Sequence, residues 1–275
     1  MADGPRTDRP CGSNELVERQ FSRLAGRYET SAVHAQGQDL GWMVSDAALT
    51  GQERVLDVGT GAGHTALALA PGAWTVTGID LTADMIARAA QLAERRALAN
   101  VQFVVGDVVR LPFPADYFDR VACRFAAHHF VDPDGAAREI SRVLRPGGRL
   151  LLIDHIAPDD GELDAFINRV DWLRDPSHVR EWTAREWAHR FQQVDIPTTV
   201  AREWDLTLEV GWWLEQAGTP GERRQEILQM LRDAPPAARD MFSIRLDQSR
   251  QPVSFVLKCA LFTGRKAAVP PGPTA

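Results

Sequence analysis

One stretch of the sequence decides the fold, and it reads Val55-Leu56-Asp57-Val58-Gly59-Thr60-Gly61-Ala62-Gly63-His64-Thr65-Ala66-Leu67. It begins as a short apolar run, turns on three glycines and continues as an Ala- and Leu-rich segment. This order predicts a buried strand, a tight turn and a helix. Because glycine tolerates unusual backbone angles and has no Cβ, a ligand can approach such a turn closely. The stretch therefore predicts a nucleotide-binding loop.

The spacing of the glycines and one acid argue against a dinucleotide. The dinucleotide fingerprint is G-x-G-x-x-G, with the pyrophosphate at the helix N-terminus. Here the third glycine, Gly63, comes one place early. Asp57 lies at the end of the strand, where its carboxylate would repel a pyrophosphate. The same carboxylate suits a ligand that carries an ammonium group.

Further motifs follow the loop in order. A second predicted strand ends in Asp80, an acid placed to accept hydrogen bonds from ribose hydroxyls. Behind it come Gly106-Asp107, Leu111-Pro112-Phe113-Pro114, Phe118-Asp119 and Glu139-Ile140-Ser141-Arg142-Val143-Leu144-Arg145-Pro146-Gly147-Gly148. From residue 52 to residue 156, this succession resembles the class I S-adenosylmethionine (SAM) dependent methyltransferases. Within them it is similar to the methyltransferase type 11 branch, which contains the ubiquinone/menaquinone C-methyltransferases.

The alternation of strands and helices from Arg54 onward predicts an α/β fold with a parallel sheet and right-handed crossovers. The resemblance implies a doubly wound, Rossmann-like sheet of seven mostly parallel strands, with the last one antiparallel between the fifth and sixth. One helix should begin near Thr82 or Ala83, and another should run from Asp132-Pro133 to Pro146-Gly147-Gly148. Strands are expected near 54–59, 75–80, 101–105, 118–123, 149–155, 199–206 and 253–262.

The chain is expected to divide around this core. The predicted parts are an N-terminal helical cap (1–50), a SAM-binding core (51–156), a mostly helical insertion with one core strand (157–250), a final core strand (251–264) and a loose tail (265–275). The insertion holds six of the eight tryptophans. These can pack a helical cap, or they can line a pocket for an aromatic or polyketide-like acceptor.

Composition excludes several other classes of protein. A net charge of −6 argues against a nucleic-acid partner. The three cysteines are far apart and odd in number, which favours the reducing cytoplasm over a disulfide framework. We expect no membrane span and no signal peptide, because no apolar run is long enough. No group of His, Cys and Asp has the spacing of metal ligands, so no metal is expected. The oligomeric state stays open, a homodimer included.

The resemblance also implies a set of SAM-binding residues. The loop from Gly59 to Gly63 would approach the methionine and ribose moieties, and Asp80 would bind the ribose hydroxyls. Asp107 would accept a hydrogen bond from the adenine amine. Alternatively, Asp107 is only a turn residue after Gly106. Tyr28 would lie near the methionine moiety, or be an aromatic anchor on a surface helix. The full predicted set is Tyr28, Asp57, Gly59, Thr60, Gly61, Gly63, Asp80, Leu81, Met85, Gly106, Asp107, Val108 and Arg124.

Two adjacent histidines after the fourth strand are the predicted catalytic residues. If the acceptor is a hydroxyl, an amine or an acidic carbon, a base must take its proton, and histidine has nearly the right pKa. Adjacent residues seldom face one pocket, so His128 is the first candidate and His129 the second. Both could instead cap the next helix or pack at the sheet edge. His155 and His178 are expected to be structural.

The function predicted from these features is methyl transfer from SAM to a small organic acceptor, aromatic or natural-product-like, with S-adenosylhomocysteine as the other product. The enzymes that methylate nucleic-acid amino groups carry Asp-Pro-Pro-Tyr or Asn-Pro-Pro-Tyr after the fourth strand, whereas Cys123-Arg124-Phe125-Ala126 stands here. Two alternatives keep SAM as a ligand. One is a non-methylating enzyme of cyclisation, decarboxylation or hydroxylation, and the other is a non-catalytic regulator. Methylation at C, O, N or S stays open.

Overall fold

The computed structural model describes residues 13–29 and 37–268, and the predictions made for 1–12, 30–36 and 269–275 lie outside the described residues. Ten helices and eight strands make up the described part of the chain. In order they are α1 (Asn14–Glu29), α2 (Gln38–Ala47), β1 (Arg54–Val58), α3 (His64–Leu69), β2 (Thr75–Asp80), α4 (Ala83–Arg95), β3 (Val101–Val105), β4 (Phe118–Arg124), α5 (Pro133–Val143), β5 (Leu144–His155), α6 (Gly161–Arg174), α7 (Ala184–Gln192), β6 (Thr198–Glu209), α8 (Val210–Ala217), α9 (Gly221–Arg232), α10 (Pro236–Met241), β7 (Arg245–Leu246) and β8 (Pro252–Arg265).

The sheet has the expected order, β3-β2-β1-β4-β5-β8-β6. Strands β1 to β5 pair in parallel, and β8 is antiparallel to both neighbours, β5 and β6. An additional two-residue strand, β7, pairs with β8. The chain changes direction across the sheet between β1 and β4, so a crevice opens at the carboxyl ends of these strands. The predicted doubly wound α/β fold is confirmed.

Alternate residues of the central strands pack on opposite faces of the sheet. Val55 and Leu151 belong to one apolar cluster, with residues of α2 and α3. Leu56 and Leu150 belong to another, with residues of α5 and α7. Successive side chains of a strand point to opposite faces, and helices cover both faces here. Hence the central strands are apolar throughout and do not alternate with polar residues.

The insertion forms a third apolar cluster of its own. Helices α6, α8, α9 and α10 pack there against the ends of β6 and β8. Trp187 and Trp213 are buried at 2% and 3% exposure, so both pack between helices and strands. None of the tryptophans in the described residues lines the cavity at the carboxyl ends of the central strands. This favours a role for the tryptophans in packing the helical cap over a role in lining an acceptor pocket.

Helix α1 lies across the boundary between the core and the insertion, where it contacts α4 and α8. The amide of Leu16 donates to the hydroxyl of Ser13 (3.3 Å), as expected for a capping serine. The side-chain amide of Gln20 donates to the carbonyl of Ala217, at the end of α8 (3.0 Å). The side chain of Tyr28 lies outside the described residues. None of the helices in the described part is long and apolar enough to cross a membrane.

One helix end was predicted wrongly. Helix α5 ends at Val143, and the backbone is already extended at Leu144 (φ −78°, ψ 127°). The amide of Gly147 donates to the carbonyl of Lys266, and the amide of Lys266 donates to the carbonyl of Gly148. These hydrogen bonds to the residue after β8 satisfy the backbone groups of Gly147 and Gly148, so this segment is extended and belongs to strand β5. The proline and glycines lie inside β5 and do not end the helix.

Candidate active site

A cavity with an empty volume of about 960 Å³, open to solvent, lies at the carboxyl ends of the central strands. Ten of the residues predicted for function line it: Gly59, Thr60, Gly61, Asp80, Leu81, Met85, Gly106, Val108, Arg124 and His129. Asp57, Gly63, Asp107 and His128 are near it but are not among its lining residues.

The glycine loop forms one wall, and each glycine has a separate reason to be glycine. All three have positive φ angles: 65° at Gly59, 51° at Gly61 and 88° at Gly63. A Cβ at Gly59 would lie 2.5 Å from the Cβ of Ala126, and one at Gly63 would lie 2.9 Å from that of Ala89. A Cβ at Gly61 would meet no protein atom within 4 Å. Gly61 therefore keeps space open for a ligand, whereas the other two allow the protein to pack.

Asp57 lies beneath this loop and holds it. Its Oδ2 atom accepts hydrogen bonds from the hydroxyl of Thr60 (2.6 Å) and from the amide of Ala66 (3.0 Å). Burial raises the pKa of Asp57 to about 7, against the opposing effect of these hydrogen bonds. Since one carboxylate binds both the turn and the first turn of α3, it fixes the loop to the helix.

Asp80 ends β2 and reaches the cavity from below. Its carboxylate accepts from the amide of Gly61 (2.8 Å) and from the amide of Thr82 (2.9 Å). Burial raises the pKa of Asp80 above its usual range, although both hydrogen bonds oppose the shift. Leu81 and Met85 line the cavity beside it. The acid therefore joins the glycine loop to the start of α4 and presents its oxygens at the cavity wall.

The side chain of Asp107 hydrogen-bonds to the backbone of the turn that follows it, as expected for a turn residue. Its Oδ1 atom accepts from the amide of Val109 (3.1 Å) and caps a short 3₁₀ turn. Its Oδ2 atom accepts from the side-chain amide of Asn14 (2.6 Å), the first residue of α1. Asn14 itself lines the cavity, as do Gly106 and Val108. The sequence carries no pattern that would connect Asn14 with a residue 93 positions away.

A buried ion pair borders the cavity at the end of β4, next to the strand that leads into the glycine loop. The Nε atom of Arg124, at the end of β4, donates to a carboxylate oxygen of Asp39 on α2. Both residues are buried, at 7% and 6% exposure. Sequence reasoning missed Asp39. The signal was its position four residues before Met43, on the apolar face of α2, because a charge on a buried helix face needs a partner.

His128 is bound to Asp154. Its Nδ1 atom lies 2.6 Å from Oδ1 of Asp154, and its amide donates to Oδ2 (2.8 Å). Burial favours the neutral ring, but the attraction and hydrogen bond of Asp154 outweigh it and raise the pKa of His128 above its usual value. The ring is 9% exposed and does not line the cavity.

His129 lines the cavity. Its Nδ1 atom lies 3.1 Å from the carbonyl oxygen of Ser177. Burial, and then repulsion from His128, lower the pKa of His129 to about 4, so the ring is neutral at pH 7. The ring of Phe21 on α1 packs edge-on against it, with centroids 4.9 Å apart. His129 lines the cavity and His128 does not, which favours His129 as the candidate base.

His155 and His178 are not among the residues that line the cavity. The Nε2 atom of His178 lies 3.1 Å from the side-chain oxygen of Asn168. His155 stacks on His128, with centroids 5.1 Å apart. Burial and then the charge of His128 lower the pKa of His155 to about 3.

Comparison with known proteins matches this architecture. A family model described as a methyltransferase domain matches residues 56–152. The chain is 44% identical, over 90% of its length and 98% of the other protein, to YcgJ of Bacillus subtilis, named as an uncharacterized methyltransferase. The crystal structure of YcgJ has a TM-score of 0.83 at 43% identity, covering 84% of this chain and 99% of YcgJ.

A second relative is the demethylmenaquinone methyltransferase of Thermus thermophilus, which is 40% identical over 56% of this chain and 72% of that enzyme. The fold, the glycine loop and the two strand-end acids define a class I SAM-dependent methyltransferase. The chain belongs to the methyltransferase-domain family that includes YcgJ and the ubiquinone/menaquinone methyltransferases.

Proposed function

We propose that this methyltransferase transfers the methyl group of SAM to a small aromatic acceptor of the quinol or phenol type. One observation carries the proposal. A single cavity is lined by the glycine loop and Asp80 and also by the rings of Phe21, Phe125, Phe130 and His129. Flat rings favour contact with aromatic side chains. The name of the Thermus thermophilus relative, a demethylmenaquinone methyltransferase, fits an acceptor of this class.

The residues present fit SAM. Each oxygen of Asp80 accepts one backbone hydrogen bond and has a further lone pair, which a ribose hydroxyl can use. Leu81 and Met85 offer apolar surface for the adenine ring, and Val108 offers its amide. For Asp107 to bind the adenine amine, its Oδ2 must share or exchange the hydrogen bond from Asn14.

The methionine end of SAM is assigned to Arg124, which lines the cavity at the end of β4. The guanidinium of Arg124 can bind a carboxylate, and it is already oriented by Asp39. Asp57 acts from beneath the loop as a positioning residue, and an ammonium group beside it would favour its ionised form.

The sulfonium supplies an activated methyl group, so the protein must align the acceptor and exclude water. The acceptor forms its new bond to the methyl carbon, and the electron pair of the broken C–S bond stays on sulfur. A carbonyl oxygen can only accept a hydrogen bond, so the Nδ1 of His129 carries the proton that Ser177 accepts. Nε2 therefore has a free lone pair in the neutral ring and is assigned as the base for the acceptor proton.

Methyl-labelled SAM and a panel of acceptors test this function. The panel contains demethylated naphthoquinols and phenols, with aliphatic amines and thiols of similar size. We expect label in an aromatic product, with an equal amount of S-adenosylhomocysteine. The Asp80→Ala variant should lose the signal through weaker SAM binding.

Two outcomes would contradict the proposal. Methylation confined to amines or thiols would refute the aromatic acceptor class. Conversion of an acceptor without S-adenosylhomocysteine would instead indicate the cyclisation, decarboxylation or hydroxylation chemistry.

A further inference from the structure

A cluster of donor atoms lies where the core meets the insertion, behind the cavity wall. It consists of His155, the last residue of β5, Asp171 on α6, and Glu181 in the segment between α6 and α7. One ligand atom from each of the three lies within 4.8 Å of the other two. Asp171 and Glu181 are 5% and 1% exposed. Three consecutive segments of the chain thus converge on one buried point.

Asp171 and Glu181 can hydrogen-bond to each other only by sharing a proton, and otherwise the atoms that face this point lack hydrogen-bond partners. They are Nδ1 of His155, Oδ1 of Asp171, and both carboxylate oxygens of Glu181. The imidazole nitrogen Nδ1 of His155 lies 3.6 Å from the carboxylate oxygen Oε1 of Glu181. This distance is too long for a hydrogen bond. Buried polar atoms are normally satisfied, so four in one cluster require an explanation.

Two buried carboxyl groups this close either share a proton or bind a cation. A shared proton would satisfy one oxygen of Asp171 and one of Glu181. It would leave the imidazole nitrogen of His155 and the second oxygen of Glu181 without partners. A divalent cation would accept an atom from all three residues and neutralise both carboxylates. The cation accounts for more of the observations.

We propose that His155, Asp171 and Glu181 bind a divalent transition-metal ion. An ion with ligand bonds of about 2.0–2.2 Å holds its donors about 3.0–3.5 Å apart, close to the observed 3.6 Å. One imidazole nitrogen with two carboxylate oxygens suits Zn²⁺ or Mn²⁺. The spacing of 155, 171 and 181 forms no short motif, which is why the sequence predicted no metal.

The surrounding hydrogen bonds orient the ligands. The amide of Glu181 donates to the side-chain oxygen of Asn168 (2.7 Å), and the amide of His155 donates to Oδ1 of Asp154 (2.9 Å). Such outer contacts fix the backbone that carries each ligand. Asp154 and His128 also lie close to His155. They are already bound to each other, so they leave His155 available to the other pair.

The ion would have a structural role, because it ties β5 of the core to α6 and the segment before α7. It would also support the acceptor side of the cavity. The ring of Phe125, which lines the cavity, packs on His155 with centroids 5.1 Å apart. We therefore expect metal binding to raise the melting temperature of the full chain, whether or not SAM is present.

Calorimetry on the full-length protein tests the site. The chain is stripped with a chelator, dialysed, and titrated separately with Zn²⁺ and Mn²⁺, and its melting temperature is measured with and without each ion. We expect one ion per chain for at least one metal and a higher melting temperature. Glu181→Gln and Asp171→Asn, which keep side-chain shape, should each weaken binding at least about tenfold. Glu222→Gln, an exposed acid on α9, is the matched control and should bind like the wild type.

The wild type alone can refute the proposal, even if a variant does not fold. If neither ion binds the stripped wild type at one equivalent, the cluster is a proton-sharing carboxyl pair. Equal binding by the wild type and a folded Glu181→Gln variant would place the ion elsewhere on the chain. Either result overturns the assignment.

Discussion

The ring of His129 and the backbone carbonyl of Ser177 are joined through Nδ1, at 3.1 Å, and this contact decides which nitrogen of the ring is free. The carbonyl can only accept, so the proton lies on Nδ1 and the lone pair on Nε2. Ser177 lies in the segment after α6, so the insertion orients a residue of the core cavity. The neighbouring ring of His128 is held by Asp154 instead.

Replacement of His129 by Ala should lower kcat for methylation of the acceptor by about 10²–10⁴-fold, the range for loss of a general base. SAM affinity should stay within about twofold, because the residues assigned to SAM are unchanged. Single-turnover kinetics and SAM titration measure the two effects separately. The matched control is His189→Ala, an exposed histidine on α7. Wild-type turnover in a folded His129→Ala variant would remove the base from the mechanism.

The pair of Asp39 and Arg124 should stabilise the fold as well as orient the guanidinium. Asp39→Ala removes the carboxylate that this buried guanidinium contacts, which should lower the free energy of unfolding by about 3–5 kcal/mol. Asp46→Ala is a control on the same helix, because Asp46 pairs with the more exposed Arg202. Asp46→Ala should lower the free energy of unfolding by only about 0–1 kcal/mol, because the pair with Arg202 is more exposed to solvent. Denaturant titration compares them, and equal losses would contradict a special role for the buried pair.

The sequence predicts the sheet well because its information is local. The apolar run of β1, the glycine turn and the acid at Asp80 each depend on neighbouring residues. The motif order then specifies the strand order by resemblance. The end of α5 was wrong because the deciding contact, between Gly147 and Lys266, joins residues over a hundred positions apart. Local proline and glycine patterns do not predict pairing between residues that are distant in sequence.

The cavity was only partly predictable for the same reason. Residues at strand ends, such as Asp80 and Arg124, follow from the fold. Asn14 and Asp39 come from helices that reach the cavity by tertiary packing, and no motif marks them. The ranking of His128 above His129 took no account of the buried Asp154, which contacts the ring of His128. Where a side chain points depends on partners distant in sequence.

Asp57 should make stability depend on pH in a direction opposite to that of a typical surface acid. Its pKa rises from 3.8 to about 7 on folding, so the folded state binds the proton more tightly. The stabilising contribution is therefore complete below about pH 4 and is lost as the pH rises toward about 7. Asp57→Asn lacks this titration. The stability of the wild type relative to Asp57→Asn should fall between about pH 4 and pH 7 and level off above that range.

Denaturant unfolding at several pH values measures that difference, and the exposed Asp84→Asn on α4 serves as the control. Other titrating groups cancel in the comparison because both proteins contain them. A difference that stays constant with pH, or that grows as the pH rises, would show that Asp57 is ionised throughout.

Binding of SAM against the glycine loop is the central claim, and two alanine variants test it most directly. Gly61 and Gly51 both have positive φ angles, 51° and 90°, and a Cβ at either would meet no protein atom within 4 Å. Ala therefore imposes similar backbone strain at both positions, but only Gly61 lines the cavity. Calorimetric titration should find one SAM per chain in the wild type and in Gly51→Ala, with affinity reduced at least about tenfold in Gly61→Ala. If all three proteins bind SAM alike, the cofactor does not lie against this loop.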